Sequence, residues 1–399
     1  MQLLNKKTAE QLGSSSLIRK MFETGIELKK KYGADNVFDF SLGNPDLPPP
    51  PAVAKGLEKI AADAVNPFAF GYVPNAGAPA VREALAKYLA QEQGHPIEAR
   101  HCLVCCGAAG AINALFRAVL EEGDEVLVPA PYFVEYGFYA GNFGGILRPV
   151  PTVEPDFSLD IEAFAANIGP KTRAIIINSP NNPTGRIYSR EELTQLGKLV
   201  DAAVARYQRA IYVIADEPYR ALNYDNMEIP SLMDFFKYAV VAGSFSKTLS
   251  LAGERVGYLA VNPAIENADT LVGALTITNR VLGFVNAPIV GQKLVMSALG
   301  EQVDLDIYRR RREAMKKVLT DAGLEFHLPE GAFYFFPKSP VPDENIFIEA
   351  LVKEKVLAVS GSGFGMPGYV RFSFCVPEKV ILNAAPGIAA AVKACREKC

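Results

Sequence analysis

The sequence lacks the features of a protein that binds nucleic acid or spans a membrane. Its 41 lysines and arginines are outnumbered by 44 aspartates and glutamates, and the net charge is −3. This balance leaves no basic excess for nucleic acid or anionic membranes. No apolar run approaches the roughly 18 residues that a membrane-spanning helix needs. The N-terminal residues 1–7 are followed by no apolar core, so they do not indicate a signal peptide. We therefore expect a cytoplasmic protein.

Residues that commonly bind metals are also scarce. The chain has three scattered histidines and six cysteines. Cys102, Cys105 and Cys106 have the spacing of half a zinc site, but no second cluster completes it, and structural zinc takes four ligands. We expect these thiols in a buried strand, where cysteine is a common core residue. The sequence therefore predicts no metal.

The sequence does contain a succession of short apolar runs of the kind that form a buried sheet. They are mostly continuous and rich in β-branched residues, which indicates a sheet covered on both faces. The runs are Cys102–Cys106, Glu125–Pro129, Ile146–Val150, Arg173–Asn178, Ile211–Ala215, Ala239–Ser244 and Val256–Val261. The loop before the last run is too short for a covering helix, so we expect that strand to pair antiparallel.

Helical patterns fit between most of these runs. Residues 111–122 place apolar side chains on one stripe and stop at Gly123. Ser189 and Glu192 have the spacing of a capping box, which predicts the start of another helix. Alternation of strands and helices is typical of an α/β domain.

The pattern changes near Asn286. A long helix is predicted at roughly 288–322, and its four consecutive arginines at 309–312 are interpreted as a solvated face. The short strands that follow are Leu324–His327, Ala332–Phe336, Val356–Val359 and Tyr369–Phe374. This arrangement indicates a second, smaller α+β domain.

One apparent nucleotide motif is rejected. Residues 363–368 match the dinucleotide pattern G-x-G-x-x-G. That pattern has to open a helix, whereas here Pro367 interrupts it and a strand is predicted next.

The loop after the run Ala239–Ser244 holds the most informative residues. It contains Ser244, Ser246, Lys247 and Arg255. A lysine amine can form a Schiff base with an aldehyde, while hydroxyls and a guanidinium suit a phosphate dianion. Pyridoxal phosphate (PLP) carries both groups and is the cofactor that this set predicts. A surface loop of ordinary composition is the alternative.

Three further strand ends carry side chains that suit the same cofactor. Asp216 follows one strand, where the carboxyl end faces the ligand crevice of an open sheet, and PLP needs an acid at its pyridine nitrogen. Tyr219 could donate to the ring's 3-oxygen, and Asn182 lies in a turn rigidified by proline and glycine. Ala108 and Ala109 open a helix whose N–H groups a phosphate can approach. A capping aspartate, a half-buried tyrosine and a plain turn are the alternatives.

Taken together, these segments resemble the class I/II aminotransferases, the fold-type-I PLP family. The resemblance covers nearly the whole chain, through the segments 41–45, 70–72, 181–185, 244–255 and 369–374. It implies an α/β fold, with a three-layer fold-type-I PLP-transferase large domain around a mostly parallel seven-stranded sheet, plus a small α+β domain. The implied boundaries are 46–287 for the large domain and 1–45 with 288–399 for the small one. The resemblance also implies a homodimer with shared active sites.

The resemblance implies a role for each matching residue. Lys247 resembles the Schiff-base lysine and proton shuttle. The other implied roles are Asp216 as pyridinium partner; Tyr219 and Asn182 as 3-oxygen partners, with Asn182 also near the substrate; Tyr132 as the aromatic stacked on the ring; Ala108, Ala109, Ser244, Ser246 and Arg255 as the phosphate cup; Tyr72 as a phosphate contact from the partner subunit; and Arg371 with Gly43 as the clamp on the substrate α-carboxylate. The family often has a polar residue where this chain has Ala108 and Ala109, which shifts the phosphate contacts to the backbone, the serines and Arg255.

The predicted reaction is transamination between an L-amino acid and a 2-oxo acid. A β-eliminating carbon–sulfur lyase on the same scaffold shares Lys247, Asp216 and Arg371, so it stays open as an alternative. A non-catalytic PLP-sensing module is a further alternative, although such regulators carry an added DNA-binding domain and this chain shows no basic excess.

The amino-acid donor is left open by the sequence. Arg280 lies near the place where aspartate-type members of the family use an arginine of the partner subunit to bind a second carboxylate. Its spacing to Asn286 is about one residue off that pattern. A surface or interface arginine is the alternative, because arginine is usually exposed.

Overall fold

The fold is given by a computed structural model, which describes residues 3–13 and 17–397. The helices are α1 Lys6–Gly13, α2 Leu17–Tyr32, α3 Pro51–Asp63, α4 Pro79–Gln93, α5 Gly107–Val119, α6 Glu135–Gly141, α7 Ile161–Asn167, α8 Arg190–Tyr207, α9 Ala268–Val281, α10 Ile289–Ser297, α11 Leu305–Asp321, α12 Glu344–Lys353 and α13 Glu378–Arg396. The strands are β1 Phe38–Asp39, β2 Cys102–Cys105, β3 Glu125–Pro129, β4 Ile146–Val150, β5 Thr152–Val153, β6 Ser158–Leu159, β7 Thr172–Asn178, β8 Tyr212–Asp216, β9 Ala239–Ser244, β10 Gly257–Val261, β11 Tyr334–Phe335, β12 Val356–Leu357, β13 Val359–Ser360 and β14 Val370–Ser373. No helix in this described part is long and apolar enough to cross a membrane.

The chain divides into two compact units. The small unit comprises Met1–Asn44, Asp306–Pro329 and Phe333–Cys399, and the large unit comprises Pro45–Leu305 and Glu330–Ala332. The predicted domains differ from these units mainly in the segment 288–305, which we assigned to the small domain. This segment belongs to the large unit because its helix α10 packs on α3 and α4.

The large unit is built on a seven-stranded sheet in the order β2-β10-β9-β8-β7-β3-β4. Strand β10 is antiparallel to both neighbours, and the other pairings are parallel. All seven strands predicted for this sheet are therefore present. The antiparallel pairing predicted for the last of them, β10, is confirmed.

Helices cover both faces of this sheet. Helices α5, α6 and α9 contribute to the apolar core on one face. Helices α3, α4, α7, α8 and α10 contribute to the core on the other face. Along β8, Val213 and Ala215 enter one core and Ile214 the other, because successive side chains of a strand point to opposite faces. The large unit thus has the predicted three layers.

Two helix starts bear on the predictions. Helix α5 begins at Gly107 and ends at Val119, whereas the predicted helix spanned 111–122. The apolar stripe does not mark the first turn, which consists of small residues. Helix α8 begins as predicted, since Ser189 Oγ accepts from the Glu192 N–H and the Glu192 carboxylate accepts from the Ser189 N–H.

The single long helix predicted at 288–322 is wrong. Helices α10 and α11 replace it, and the chain between them passes through Gly300 at φ +91°. Glycine is the residue that most easily adopts this left-handed conformation at the end of a helix.

The interpretation of arginines 309–312 as one solvated face is also wrong. Arg311 and Arg312 are buried, because consecutive residues of a helix point in directions about 100° apart. The Arg311 guanidinium lies 5.4 Å from the centre of the Tyr308 ring, and Arg312 Nη1 donates to the Pro329 carbonyl at 3.2 Å.

The small unit has two small sheets. Strand β1 pairs parallel with β12, and β11, β14 and β13 form an antiparallel sheet in that order. Helices α12 and α13 pack against each other and against β12. The strand predicted at Leu324–His327 is absent from this part of the described chain, which is irregular there. The α+β character that we predicted for the small domain is otherwise present.

Glu344 stabilises the loop that carries the rejected dinucleotide pattern. Its buried carboxylate accepts hydrogen bonds from the hydroxyls of Ser360 and Ser362 and from the backbone N–H groups of Ser362 and Gly368. Burial opposes the charge, but these hydrogen bonds outweigh it and lower the pKa of Glu344 from 4.5 to about 2. The ionised carboxylate of Glu344 therefore holds this loop in place.

We predict that Glu344→Gln lowers the free energy of unfolding at pH 7 by about 1.5–3 kcal/mol, because hydrogen bonds to a charged group are lost. A carboxylate whose pKa is lowered by folding stabilises the protein above its unfolded pKa and ceases to do so as the pH falls through the folded value. The difference between the two proteins should therefore shrink from pH 5 toward pH 2. Denaturant unfolding measures it, and Glu349→Gln, at an exposed position of the same helix, is the control. A difference that does not change with pH would contradict this account.

Candidate active site

The strand registers bring the predicted residues of the large unit to one edge of its sheet. Asp216, the last residue of β8, pairs with Asn178, the last residue of β7. Strand β9 lies parallel to β8 and ends at Ser244, which pairs with Gly257 of β10. Gly257 also pairs with Cys105, the last residue of β2. The carboxyl ends of β7, β8, β9 and β2 therefore meet at one edge, where open α/β sheets bind ligands.

Asp216 is the most unusual group at this edge. Its side chain is buried, its Oδ2 accepts a hydrogen bond from the Tyr136 hydroxyl, and its Oδ1 is buried without a hydrogen-bond partner. Burial raises the pKa of Asp216 to about 6, while the bond from Tyr136 acts in the opposite direction. A buried oxygen without a donor is costly. An N–H group such as that of a protonated pyridine would satisfy it, so this carboxylate fits the predicted cofactor.

The turn after β8 is anchored on its other face by a buried ion pair. Glu217 accepts from Gln93 Nε2 at 2.8 Å and from Arg220 Nη1 at 2.9 Å. Burial raises the pKa of Glu217 to about 7, and the Arg220 charge opposes that shift. Arg220 Nη2 also donates to the Ile229 carbonyl at 2.7 Å. These contacts fix the segment that carries Asp216 and the buried Tyr219.

The start of helix α5 forms a narrow cradle. Gly107 has φ +71°, and a Cβ atom there would lie 2.9 Å from Arg255 Nη2. A Cβ atom on Gly257 would lie 2.5 Å from the carbonyl carbon of Gly107. Only glycine fits at both positions. The guanidinium thus lies against the first turn of α5, where the N–H groups of Ala108 and Ala109 and the helix dipole favour an anion.

The lysine loop begins at the same edge. Ser244 and Ser246 are buried and Lys247 is half-buried. The loop is tied down by backbone bonds, since the Phe245 N–H donates to the Val256 carbonyl and the Leu249 N–H to the Phe245 carbonyl, both at 3.3 Å. Lys247 therefore follows the strand next to the one that ends in Asp216.

The remaining large-unit residues that follow these strands are Asn182 and Tyr132. The Asn182 backbone N–H donates to Asn178 Oδ1 at 2.7 Å, which anchors its turn to the end of β7. Tyr132 is half-buried against the core formed with α5 and α6, and burial raises the pKa of its phenol. Its ring is therefore a neutral apolar surface.

Arg371 and Gly43 lie in the small unit. The buried Arg371 guanidinium is held between the rings of Tyr334 and Phe364, at 4.6 and 4.7 Å from their centres, and its Nη2 donates to the Ser41 carbonyl at 2.6 Å. A side chain at Gly43 would collide with the Tyr334 hydroxyl. Stacking on aromatic faces and a backbone bond restrict the guanidinium to one orientation.

Tyr72 and Arg280 lie on the surface of the large unit. The Tyr72 side chain is 95% exposed, and Arg280 is exposed in the last turn of α9. Tyr72 lines a cavity of about 440 Å³ together with Phe70, Phe284 and Asn286.

Sequence reasoning missed Tyr136, which lies 80 residues before its partner Asp216. Helix α6 carries it onto the end of β8. No spacing rule links the two positions, so only the fold reveals their contact.

No group of three or more potential metal ligands occurs among residues 3–13 and 17–397. Cys102 and Cys105 are buried free thiols, and Cys106 is half-buried at the start of α5. Cys399 lies outside the described residues.

Comparisons with known proteins show what this chain resembles in sequence and in fold. Residues 35–388 match the family model described as aminotransferase class I and II. An aspartate aminotransferase of Geobacillus stearothermophilus is 32% identical over 93% of this chain and 94% of its own length. The crystal structure of an amino transferase from Eubacterium rectale superposes with a TM-score of 0.94 at 36% identity, over 99% of both chains. An aspartate aminotransferase from Thermus thermophilus with maleate superposes with a TM-score of 0.85 at 27% identity, over 98% of this chain and 100% of that one.

We predict that Gly107→Ala weakens the affinity of the cofactor-free protein for PLP by about tenfold or more, because the new methyl group displaces Arg255 and strains a left-handed residue. Fluorescence titration measures the dissociation constant. Gly169→Ala is the control, since a Cβ atom at that loop position meets nothing within 4 Å. Undiminished affinity of Gly107→Ala would remove this cradle from the phosphate site.

Proposed function

Because the chain belongs to the family of class I and II aminotransferases, we propose that it works with pyridoxal phosphate bound at Lys247. The protein is an aminotransferase, and its reaction is transamination between an amino acid and a 2-oxo acid. The observation that carries the cofactor proposal is the buried oxygen Oδ1 of Asp216, which lacks a donor at the sheet edge where the lysine loop begins.

The cofactor, when bound, supplies an aldehyde for the amino group and a sink for the electron pair left at the substrate Cα. Lys247 Nζ would hold the aldehyde carbon until the substrate amine displaces it, and the freed amine would then move the proton from Cα. Asp216 Oδ1 would accept from the ring N–H and keep the ring protonated. Tyr219 and Asn182 would bind the 3-oxygen of the ring.

The phosphate and the ring face would be held by groups around the same edge. The Arg255 guanidinium, the hydroxyls of Ser244 and Ser246 and the N–H groups of Ala108 and Ala109 would bind the phosphate. The ring of Tyr132 would stack on the cofactor ring and exclude water from that face. The close fit of Arg255 against Gly107 supports this part of the proposal.

The substrate α-carboxylate would be bound by Arg371, with the backbone of Gly43 beside it, and Asn182 would also contact the substrate. A guanidinium presents two parallel N–H donors to a carboxylate. The two rings that enclose Arg371 and its hydrogen bond to Ser41 support this role. A guanidinium that is already held in one orientation loses less conformational entropy when it binds a carboxylate.

Neither alternative predicted from the sequence is favoured by a contact in the described chain. The compared relatives are named as aminotransferases.

Replacement of the lysine tests the proposal directly. Lys247→Ala should abolish transamination, because no other amine would hold the aldehyde and move the proton. Borohydride reduction of the PLP-loaded protein followed by mass spectrometry should find the adduct on Lys247 and none on the variant, with Lys293→Ala as the control. Undiminished transamination by Lys247→Ala would contradict the proposal.

We further propose a homodimer in the cytoplasm, with Tyr72 of each subunit contributing to the phosphate site of the other. The cytoplasmic location is proposed from sequence composition alone. Exposed apolar side chains near Tyr72 and along α9 support the dimer, because a large apolar patch on a protein surface indicates a site of protein–protein contact. They are Val65, Phe68, Phe70, Ile277, Val281 and Phe284.

For the substrate we propose a dicarboxylic amino acid, read by Arg280 of the partner subunit. The exposure of Arg280 on α9, between Ile277 and Phe284, supports a role across an interface. The names of the compared relatives, which include aspartate aminotransferases and one with the dicarboxylate maleate, support the substrate class.

We predict that Arg280→Ala lowers kcat/KM for aspartate and glutamate more than for alanine and phenylalanine. The lost discrimination corresponds to about 2–4 kcal/mol of transition-state binding free energy, because the distal carboxylate would be left without its partner. Steady-state kinetics with a panel of donors measures the discrimination. Equal losses for dicarboxylic and neutral donors would contradict this role.

Mixing two inactive variants separates the shared site from a site within one chain. If Arg280 acts across a dimer, each hybrid of one Lys247→Ala chain and one Arg280→Ala chain contains one intact site. With aspartate as the donor, a hybrid should then have up to about half of the activity of an unaltered dimer. No recovery after subunit exchange, with hybrids verified by native mass spectrometry, would show that both residues act in the same chain.

A further inference from the structure

Tyr136 lies in the first turn of α6 and covers the end of β8. Its side chain is 1% exposed, and its hydroxyl donates to Asp216 Oδ2. The ring packs edge-on against Phe133, with centres 5.6 Å apart, and against Tyr139, with centres 6.4 Å apart. The phenol is therefore held in one place by packing as well as by its hydrogen bond.

The two carboxylate oxygens of Asp216 have different surroundings. Oδ2 accepts from Tyr136, whereas Oδ1 is buried and accepts from no group of the described chain. The backbone carbonyl of the same residue is fixed by Asn178 Nδ2 at 2.8 Å. With the main chain and one oxygen fixed, the direction of the other oxygen is fixed as well. Tyr136 thus determines which oxygen remains for a ligand.

Tyr136 also favours the charged form of Asp216. Burial raises the pKa of Asp216 to about 6, and the hydrogen bond from Tyr136 limits that rise. Burial raises the pKa of Tyr136 well above 10, so the phenol stays a donor. Without this donor the pKa of Asp216 would rise further, and a larger fraction of its carboxyl group would be protonated at a given pH.

Other titratable groups near this pair do not replace Tyr136. Tyr139 and Tyr219 interact with the Asp216–Tyr136 pair, and Glu135 and Arg255 interact with Tyr139. Besides burial, the hydrogen bond from Tyr136 is the influence that acts on the pKa of Asp216. The charge of the aspartate is therefore set mainly by its burial and by this one phenol.

We propose that Tyr136 is a positioning residue that keeps Asp216 ionised and directs its Oδ1 at the ring nitrogen of the cofactor. The inference rests on the proposed function, because that nitrogen belongs to pyridoxal phosphate. Tyr136 touches neither the cofactor nor the substrate in this arrangement, and acts through Asp216.

The test is the dissociation constant of PLP for the cofactor-free protein, measured by fluorescence titration from pH 6 to pH 9. If the loss of the phenol raises the pKa of Asp216 by one unit from about 6, Tyr136→Phe should bind about fivefold more weakly than the unaltered protein at pH 6 and about twofold more weakly at pH 7, because a smaller fraction of Asp216 is ionised. The ratio of the two constants should fall as the pH rises, because Asp216 ionises again in the variant. A merely structural loss would give a ratio that does not change with pH.

Matched variants make the comparison specific. Tyr139→Phe removes a neighbouring phenol from the same helix and should leave the dissociation constant unchanged. In an Asp216→Asn background, Tyr136→Phe should have little further effect, because the amide cannot ionise. Tyr136→His keeps a ring with an N–H donor and should restore most of the affinity at pH 7. If Tyr136→Phe does not fold, as judged by thermal unfolding of the cofactor-free protein, Tyr136→His is compared with the unaltered protein instead.

The outcomes separate this inference from the proposed function. A Tyr136→Phe protein that binds PLP as tightly as the unaltered one, or more weakly by the same factor at every pH, would overturn the inference while the cofactor assignment stands. An unaltered protein that fails to bind PLP would overturn the proposed function and this inference with it.

Discussion

The common register of the parallel strands is the constraint on which the rest of the candidate site depends. Strands β7 and β8 end level with each other, and β9 extends two residues further, to Ser244. Gly257 of β10 pairs with Ser244 on one side and with Cys105, the last residue of β2, on the other. Because each strand is followed by a turn or a helix start, side chains that are far apart in sequence meet at this edge. The glycines at 107 and 257 let α5 and β10 approach closely enough to place Arg255 against a helix N-terminus.

Charge at this edge is stabilised from both sides of the sheet. Asp216 faces α6 and receives a phenol, while Glu217 turns to the other face and receives Gln93 and Arg220. Burial raises the pKa of both carboxyl groups. The two consecutive residues therefore differ in role. Asp216 keeps one carboxylate oxygen without a hydrogen-bond partner, whereas the ion pair between Glu217 and Arg220 anchors the turn. Such groups with raised pKa values cluster at functional sites.

Much of the large unit could be predicted from the sequence because its strands are continuous apolar runs that a covered sheet requires. Each predicted run forms a strand, and the short connection before β10 led to its antiparallel pairing. The small unit was harder. Its strands are two to four residues long, and tertiary contacts bury Arg311 and Arg312 of its helix α11. The apolar pattern also does not mark the turn that separates α11 from α10 of the large unit. Tyr136 could not be found, because the contact depends on where α6 crosses the sheet. The roles of the site residues stay predictions that the geometry supports.

The division of the small unit into separate stretches of chain has a consequence for synthesis. Strand β1 pairs with β12, in a register that joins Phe38 to Val356. At the roughly 5–20 residues per second at which ribosomes extend a chain, the partner of β1 emerges on the order of 15–60 s after β1 itself. The large unit is complete, except for the residues 330–332, well before that strand appears. During this interval β1 has no strand partner on the growing chain, and its backbone N–H and C=O groups are open to pairing with another strand.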